Sequence, residues 1–222
     1  MRLIARGRDA EVYDLGDGRV LRRHTDGRPA TRQAEVLRHA AAHGYPVPRL
    51  HDASGPVLVL EKLDGPELQA TIRPWNAARA ARLLADLHTR LHRIPPLAGL
   101  DAPFGEPRAL LHLDLHPRNV LLTARGPVVI DWANAANGPP AADVALLYVI
   151  GATSRIDGPP LARWLLAPLR GRFLRAFLAA AAEPDVARLL PAVAAWRRAD
   201  RNVLPDERAA IDRLVARGTL ER

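Results

Sequence analysis

The chain has 222 residues, 48% of them hydrophobic, enough to build a sizeable core, and it contains no cysteine. Disulfides, thiolate zinc sites and cysteine nucleophiles are therefore excluded, in keeping with a reducing, cytoplasmic setting. The formal charge of +8 raises nucleic acid as a partner, but the basic residues are almost all arginine, with Lys62 the one lysine, and they are spread along the chain without interleaved aromatics. A solvated basic surface is the expectation, and nucleic-acid binding is not.

In chain order, Leu3 to Arg8 and Glu11 to Leu15 read as short strands. Gly16-Asp17-Gly18 is a hairpin turn into a third strand, Arg19 to His24, because Asp-Gly supplies the positive φ angles such turns need. Pro29 opens a helix through RQAEVLRHAAAH that stops at Gly44, with Pro46 and Pro48 beyond. After a turn at Asp52 to Gly55, VLVLEKL (57–63) reads as a buried strand closed by Asp64-Gly65. The character then becomes helical. Residues 75–93 carry Leu83, Leu84, Leu87 and Leu91 at helical spacing and end at Pro95-Pro96. A loop over 97–108 leads to LLHLDLHPRN, then to strand-like VLLT, a Gly126-Pro127 turn and VVID. Helices are expected over 141–151, 159–181, 184–198 and 206–217. The shift near Gly65 divides an α+β chain into a small β-rich N-lobe with one helix, residues 1–63, and a larger α-helical C-lobe, residues 64–222. The longest apolar run, Val144 to Ala152, is too short to span a bilayer, so no membrane contact is expected.

LHLDLHPRNVLL (111–122) concentrates the chemistry. As a straight strand it would align His112, Asp114 and His116 as metal ligands, but Pro117 argues against a continued strand, and no other His/Asp cluster offers further ligands. His-x-Asp-x4-Asn fits a catalytic loop better. The aspartate can orient an attacking hydroxyl and accept its proton, and the asparagine can ligate magnesium through its side-chain oxygen. Twelve residues past Asn119, the strand VVID brings Asp131 as a second carboxylate to the same mouth. Hard oxygens of this kind suit magnesium on nucleotide phosphates.

With LHLDLHPRNVLL and VVIDWANA, the chain resembles the aminoglycoside phosphotransferase family, small-molecule kinases with a protein-kinase-like two-lobe fold. The likeness is specific from His112 to Asp143 and looser at both ends. It implies ATP or GTP as phosphoryl donor, Mg2+ as cofactor and residues 1–63 as the nucleotide-binding lobe. Asp114 is then the catalytic base, His112 supports it in the catalytic loop, and Asn119 and Asp131 are magnesium ligands. His116 matches a loop position, and Asp143 resembles a buried aspartate tying helix to loop, with an ordinary helix N-terminal charge as the other reading.

In the N-lobe the phosphate loop, Arg6 to Tyr13, holds a single glycine, Gly7, and the chain contains no GxxxxGK[ST]. Arg22 aligns with the family's phosphate-binding lysine, with Arg23 the adjacent alternative; a guanidinium keeps the charge but forks it. Gln33 aligns with the helix glutamate, while Glu35 lies about 200° further round the helix. VLVLEKLDG resembles the hinge, where backbone groups of Glu61 to Leu63 would meet the purine.

The implied activity is transfer of a nucleotide γ-phosphate to a hydroxyl of a small molecule. A polycationic acceptor needs an acidic cleft. Residues 159–181 instead carry Arg163, Arg170, Arg172 and Arg175 without an acid, and 97–108 contribute only Asp101 and Glu106. The acids Asp200, Asp206, Glu207 and Asp212 are mixed with arginines. The expected acceptor is therefore neutral or anionic, with Trp164, Phe173 and Phe177 either lining its pocket or buried as core. The alternative is a kinase-like nucleotide- or metabolite-binding protein without transferase activity. The replaced lysine, the replaced helix glutamate and the glycine-poor phosphate loop favour it, and the joint presence of Asp114, Asn119 and Asp131 opposes it.

Overall fold

A computed structural model describes residues 1–7, 9–155 and 160–218, excluding the side chains of 160–166. Arg8, Pro159, Arg163 and Trp164, which the sequence reading uses, thus lie outside the described residues or side chains.

Five antiparallel strands form the N-terminal sheet: β1 (Arg2–Arg6), β2 (Ala10–Asp14), β3 (Arg19–His24), β4 (Leu50–Ser54) and β5 (Val57–Glu61), in the order β1-β2-β3-β5-β4. The helix α1 (Thr31–Ala42) links β3 to β4 and starts two residues after Pro29. Its buried stripe, Gln33, Ala34, Val36, Leu37 and Ala40, recurs at helical spacing, and Gly44 follows it at φ 69°. Where the sequence suggests a turn from Asp52, the chain is still in β4, and the reversal falls at Gly55 with φ 52°. Asp and Ser read as turn formers, yet β4 is an edge strand whose polar side chains stay exposed.

Strand β5 ends at Glu61, two residues short of the apolar run. The chain then crosses at Gly65, whose φ of 148° and lack of Cβ let it lie against the next layer; a Cβ there would stand 2.1 Å from the Leu122 carbonyl oxygen. A one-turn helix, α2 (Leu68–Thr71), precedes α3 (Ala77–Leu91), which buries Leu84, Leu87 and Leu91. Two short hairpin-like layers follow. In the first, β6 (Ala109–Leu111) pairs with β9 (Ala136–Gly138); in the second, β7 (Val120–Thr123) pairs with β8 (Gly126–Val129). The turn in the second falls at 124–125, so Gly126 and Pro127 belong to the strand.

The remaining helices are α4 (Pro140–Thr153), α5 (Pro160–Ala181), α6 (Val186–Ala199) and α7 (Pro205–Arg217). Every residue from Ala141 to Val149 is buried, so α4 is the axis around which α5, α6 and α7 pack. Phe173 and Phe177 are buried too, with Phe177 edge-on to His88 at 5.1 Å. They are core, and do not line an acceptor pocket.

Candidate active site

The loop after β6 is shaped from beneath by one buried carboxylate. Asp143, in the first turn of α4, accepts the backbone N–H of His112 (2.9 Å) and of Leu113 (2.8 Å), and the His92 Nε2–H (3.3 Å). These bonds hold Leu113 at φ 53°, a left-handed conformation that a branched residue adopts only when its surroundings impose it. Burial alone would raise the Asp143 pKa, but the His92 hydrogen bond, the neighbouring histidines and the His112 amide hold it well below the usual carboxylate range.

His112 is fully buried, donates Nε2–H to the Ile130 carbonyl (3.0 Å) and lies tilted against Trp132, ring centroids 4.6 Å apart. It lies under the loop, closed off from solvent. The Ile130 amide in turn donates to the Asn119 carbonyl (2.9 Å), which fixes Asn119 and Asp131 relative to each other. Asp131 itself sits at φ 60°.

Asp114 emerges from this framework with its side chain 22% exposed. Asn119 Nδ2 donates both to the Asp114 carbonyl (2.8 Å) and to its Oδ2 (3.1 Å). On the other side His116 Nε2 stands 3.6 Å from Oδ1, while its Nδ1 accepts the Arg118 amide (3.2 Å). Burial pushes the Asp114 carboxyl up to about 7; Arg197 and the Asn119 hydrogen bond oppose this, and the charges of Asp131 and Asp200 add to it. Burial takes His116 down to about 4, so its ring is neutral near pH 7.

The N-lobe supplies the cation. On β3 the side chains alternate, and the two adjacent arginines face opposite ways. Arg23 lies on the outer face against Glu11 (2.7 Å). Arg22 turns inward and forks, with NH1 on Gln33 Oε1 (2.7 Å) and NH2 on Asp131 Oδ1 (2.7 Å). Glu35 is exposed on the far face of α1, so Gln33 is the partner. His24 Nε2 also reaches Gln33 Oε1 (3.3 Å), and Arg28 donates to His24 Nδ1 (3.0 Å), which makes Nε2 the protonated nitrogen.

Asn119 is thus bonded to Asp114, and Arg22 to Asp131 and Gln33, where the five-stranded sheet meets the helical part of the chain. The sequence matches the model of the phosphotransferase enzyme family over residues 1–104 and 97–190. The chain belongs to that family. Among solved structures, this phosphotransferase-family chain is similar to a thermostable mutant of aminoglycoside phosphotransferase APH(4)-Ia in its apo form, with TM-score 0.66, 16% identity, and 98% of this chain and 94% of that one covered. It is similar also to the amicoumacin kinase hAmiN in complex with AMP-PNP, Ca2+ and Ami, with TM-score 0.60, 14% identity, and 97% and 86% covered. A choline/ethanolamine kinase family protein from Mesorhizobium loti aligns with TM-score 0.53, 19% identity, and 98% and 86% covered. No curated protein matches the sequence. The fold is thus protein-kinase-like, and no helix among the described residues is long and apolar enough to cross a membrane.

The structure brings Asp114, Asn119, Asp131, Arg22 and Gln33 together and keeps the other candidates apart. Gly7 sits in the β1–β2 turn, its N–H on the Ala10 carbonyl (2.8 Å). At the hinge, the Glu61 amide is spent on the Arg49 carbonyl (2.8 Å) and the Lys62 amide on the Gly18 carbonyl (2.9 Å), while the Glu61 carboxylate holds Arg125 (2.6 Å). Among the described residues no three His, Cys, Asp or Glu side chains cluster as a metal cage, so the His112–Asp114–His116 ligand set is not formed. A cavity of about 440 Å³, lined by Thr153, Arg170, Arg175 and Leu214 among others, lies at the far end of α4 from Asp143, away from this chemistry. Sequence reasoning missed the ion pair of Arg197 with Asp200 (3.1 Å), whose charges both act on Asp114. The pair itself is local, three residues apart, but nothing in local spacing places it beside Asp114.

Proposed function

We propose that this chain is a cytoplasmic small-molecule kinase that moves the γ-phosphoryl group of ATP or GTP to a hydroxyl of a small acceptor, with Mg2+. The reading is supported by two linked pairs, Asn119 on Asp114 and Arg22 on Asp131, joined through the Ile130 amide on the Asn119 carbonyl. Asp114 would orient the acceptor hydroxyl and take its proton, and Arg22, anchored by Gln33, would pair with phosphate oxygens. His112 and Asp143 act by holding the loop in register.

The donor set fits magnesium. The Asn119 nitrogen is committed to Asp114, which leaves its side-chain oxygen as the ligand, and the Asp131 side chain is 43% exposed. Two protein oxygens suit a hard cation that completes its shell with phosphate and water. When bound, magnesium would neutralise and align the phosphates. At the hinge the Leu63 amide is the group offered to a purine, now that those of Glu61 and Lys62 are engaged within the sheet. The lobe boundary is proposed between Leu63 and Asp64, where β5 has ended and the Gly65 crossing begins.

The acceptor is proposed to be neutral or anionic, because Arg197 lends positive charge beside the base. Similar folds include an aminoglycoside phosphotransferase, a choline/ethanolamine kinase family protein and an amicoumacin kinase, so the fold itself does not select the acceptor.

The test is turnover of Mg-ATP and Mg-GTP against a panel of hydroxyl compounds that includes kanamycin. Asp114→Ala is expected to lose on the order of 10³-fold in kcat or more while still binding nucleotide. Asp131→Asn should abolish the magnesium-dependent stabilisation by nucleotide, about 2.7 kcal/mol at a hundred times Kd in the wild type. Nucleotide binding without turnover of any acceptor would favour the binding-protein alternative, and efficient kanamycin phosphorylation would overturn the acceptor class.

A further inference from the structure

A phosphate loop built on repeated glycines folds over phosphates with its own amides. The loop between β1 and β2 has only Gly7, so some other element must hold it down. The Asp9 side chain, in this loop, is engaged from the opposite lobe. Its Oδ1 lies 2.6 Å from Arg201 NH2 and its Oδ2 3.0 Å from Asn202 Nδ2. Arg201 also approaches Asp26, beyond β3, at 3.9 Å, and the Asp9 carbonyl accepts the Thr25 amide (3.1 Å).

The α6–α7 connection is organised to present these two residues. The Asp200 carboxylate accepts the Asn202 amide (2.8 Å) and Arg197 (3.1 Å), Arg208 donates to its carbonyl (3.3 Å), and Val203 is buried beneath.

We propose that Arg201 and Asn202 are positioning residues that, through Asp9, hold the glycine-poor phosphate loop closed over the nucleotide. The proposal rests on the phosphotransferase reading. A bare carboxylate in this loop would repel a triphosphate, and Arg201 neutralises it. Arg201 is 68% exposed, and an exposed ion pair adds little to global stability, so the clasp can open for exchange while the fold stays intact. Its effect therefore belongs in nucleotide affinity and not in Tm.

The experiment measures the Kd of Mg-ADP by calorimetry, and KM and kcat wherever an acceptor is found, for wild type, Arg201→Ala, Arg201→Lys, Asp9→Ala and the Arg201→Ala/Asp9→Ala double variant. Arg201→Ala is expected to raise Kd and the nucleotide KM about fivefold, with kcat within about twofold and Tm within about 2 °C. Arg201→Lys should recover most of the affinity, and in the Asp9→Ala background the Arg201→Ala change should have no further effect. Unchanged affinity in Arg201→Ala overturns the clasp and leaves the kinase reading standing. A fivefold loss that persists without Asp9 assigns Arg201 to the nucleotide itself and overturns the positioning role. Failure of the wild type to bind Mg-ADP overturns both.

Discussion

Replacing the proposed base with its isostere should make the free protein more stable. The Asp114 carboxyl is pushed from 3.8 to about 7, first by burial, so the folded state disfavours the ionised form. At about 1.4 kcal/mol per pKa unit, the ionised side chain costs the fold at most ~4 kcal/mol. One-fifth of it still meets solvent, which brings the expected cost to ~2 kcal/mol. The sign follows from proton uptake. Between about pH 4 and 7 the folded protein binds a proton that the unfolded chain has lost, so wild-type stability rises as pH falls through that window and is lowest above it. Asp114→Asn removes the charge while keeping an oxygen for the Asn119 amide. At pH 8, without nucleotide or metal, the variant should gain ~2 kcal/mol, or about 4–8 °C in Tm for a chain of this size. At pH 5 the gain should shrink to less than half. Thermal unfolding at the two pH values measures both, and activity should be lost in the same variant. A variant no more stable than wild type at pH 8 would refute the claim that burial of the carboxylate carries a cost.

Three further outcomes rest on other parts of the frame. Asp143→Ala strands the buried amides of His112 and Leu113, at ~1–3 kcal/mol each, and a loss of ~3–5 kcal/mol is expected in urea unfolding. Since the folded Asp143 pKa lies below its ordinary value, its contribution is complete above about pH 4 and fades below it, so the variant should also lose part of the wild type's acid sensitivity. Gly65→Ala forces a Cβ to within 2.1 Å of the Leu122 oxygen at a φ of 148°; a loss of at least ~2 kcal/mol is expected, visible as a lower urea midpoint with unchanged slope. Gln33→Leu removes one of the two anchors of Arg22 and strands the buried His24 Nε2–H, so Mg-nucleotide Kd should rise about tenfold by calorimetry and stability should fall by ~1–3 kcal/mol.

What the sequence discloses depends on how local the determining contact is. The order His112, Asp114, Asn119, Asp131 is legible because the loop and the following hairpin bring neighbours in sequence into one place, and the helices of the C-lobe are legible from their apolar spacing. Strand β4 is not, because Asp52 and Ser54 carry turn preferences that pairing with β5 overrides at an exposed edge. The β6–β9 pair is missed for another reason: its two three-residue strands are separated by the whole catalytic loop, so no periodicity announces them. Alignment alone assigns Arg22 over Arg23 and Gln33 over Glu35, without a physical reason for either. Register and helix phase choose, once β3 is paired on both sides and α1 is packed. The Asp9–Arg201 contact joins residues 192 apart and has no local signature at all.

The replaced lysine and glutamate read differently once their partners are known. A lysine beside a glutamate would spend its single charge on a charged neighbour. Here the neighbour is neutral, and the charge of Arg22 is directed at Asp131 through the second arm of its fork. Gln33 can serve because its oxygen is fixed as an acceptor by two donors, Arg22 and His24, and the His24 tautomer is fixed by Arg28. Each change makes sense only with the other. A lysine would have to bring both acceptors to one nitrogen, where the guanidinium reaches Gln33 and Asp131 with separate nitrogens, and a glutamate at 33 would draw the guanidinium charge toward itself. Loss of function by drift would leave such groups unpaired or scattered. Their joint arrangement, with each donor aimed at an acceptor, weakens two of the three sequence features that favoured a protein without transferase activity, the replaced lysine and the replaced helix glutamate, and leaves the glycine-poor loop as the third.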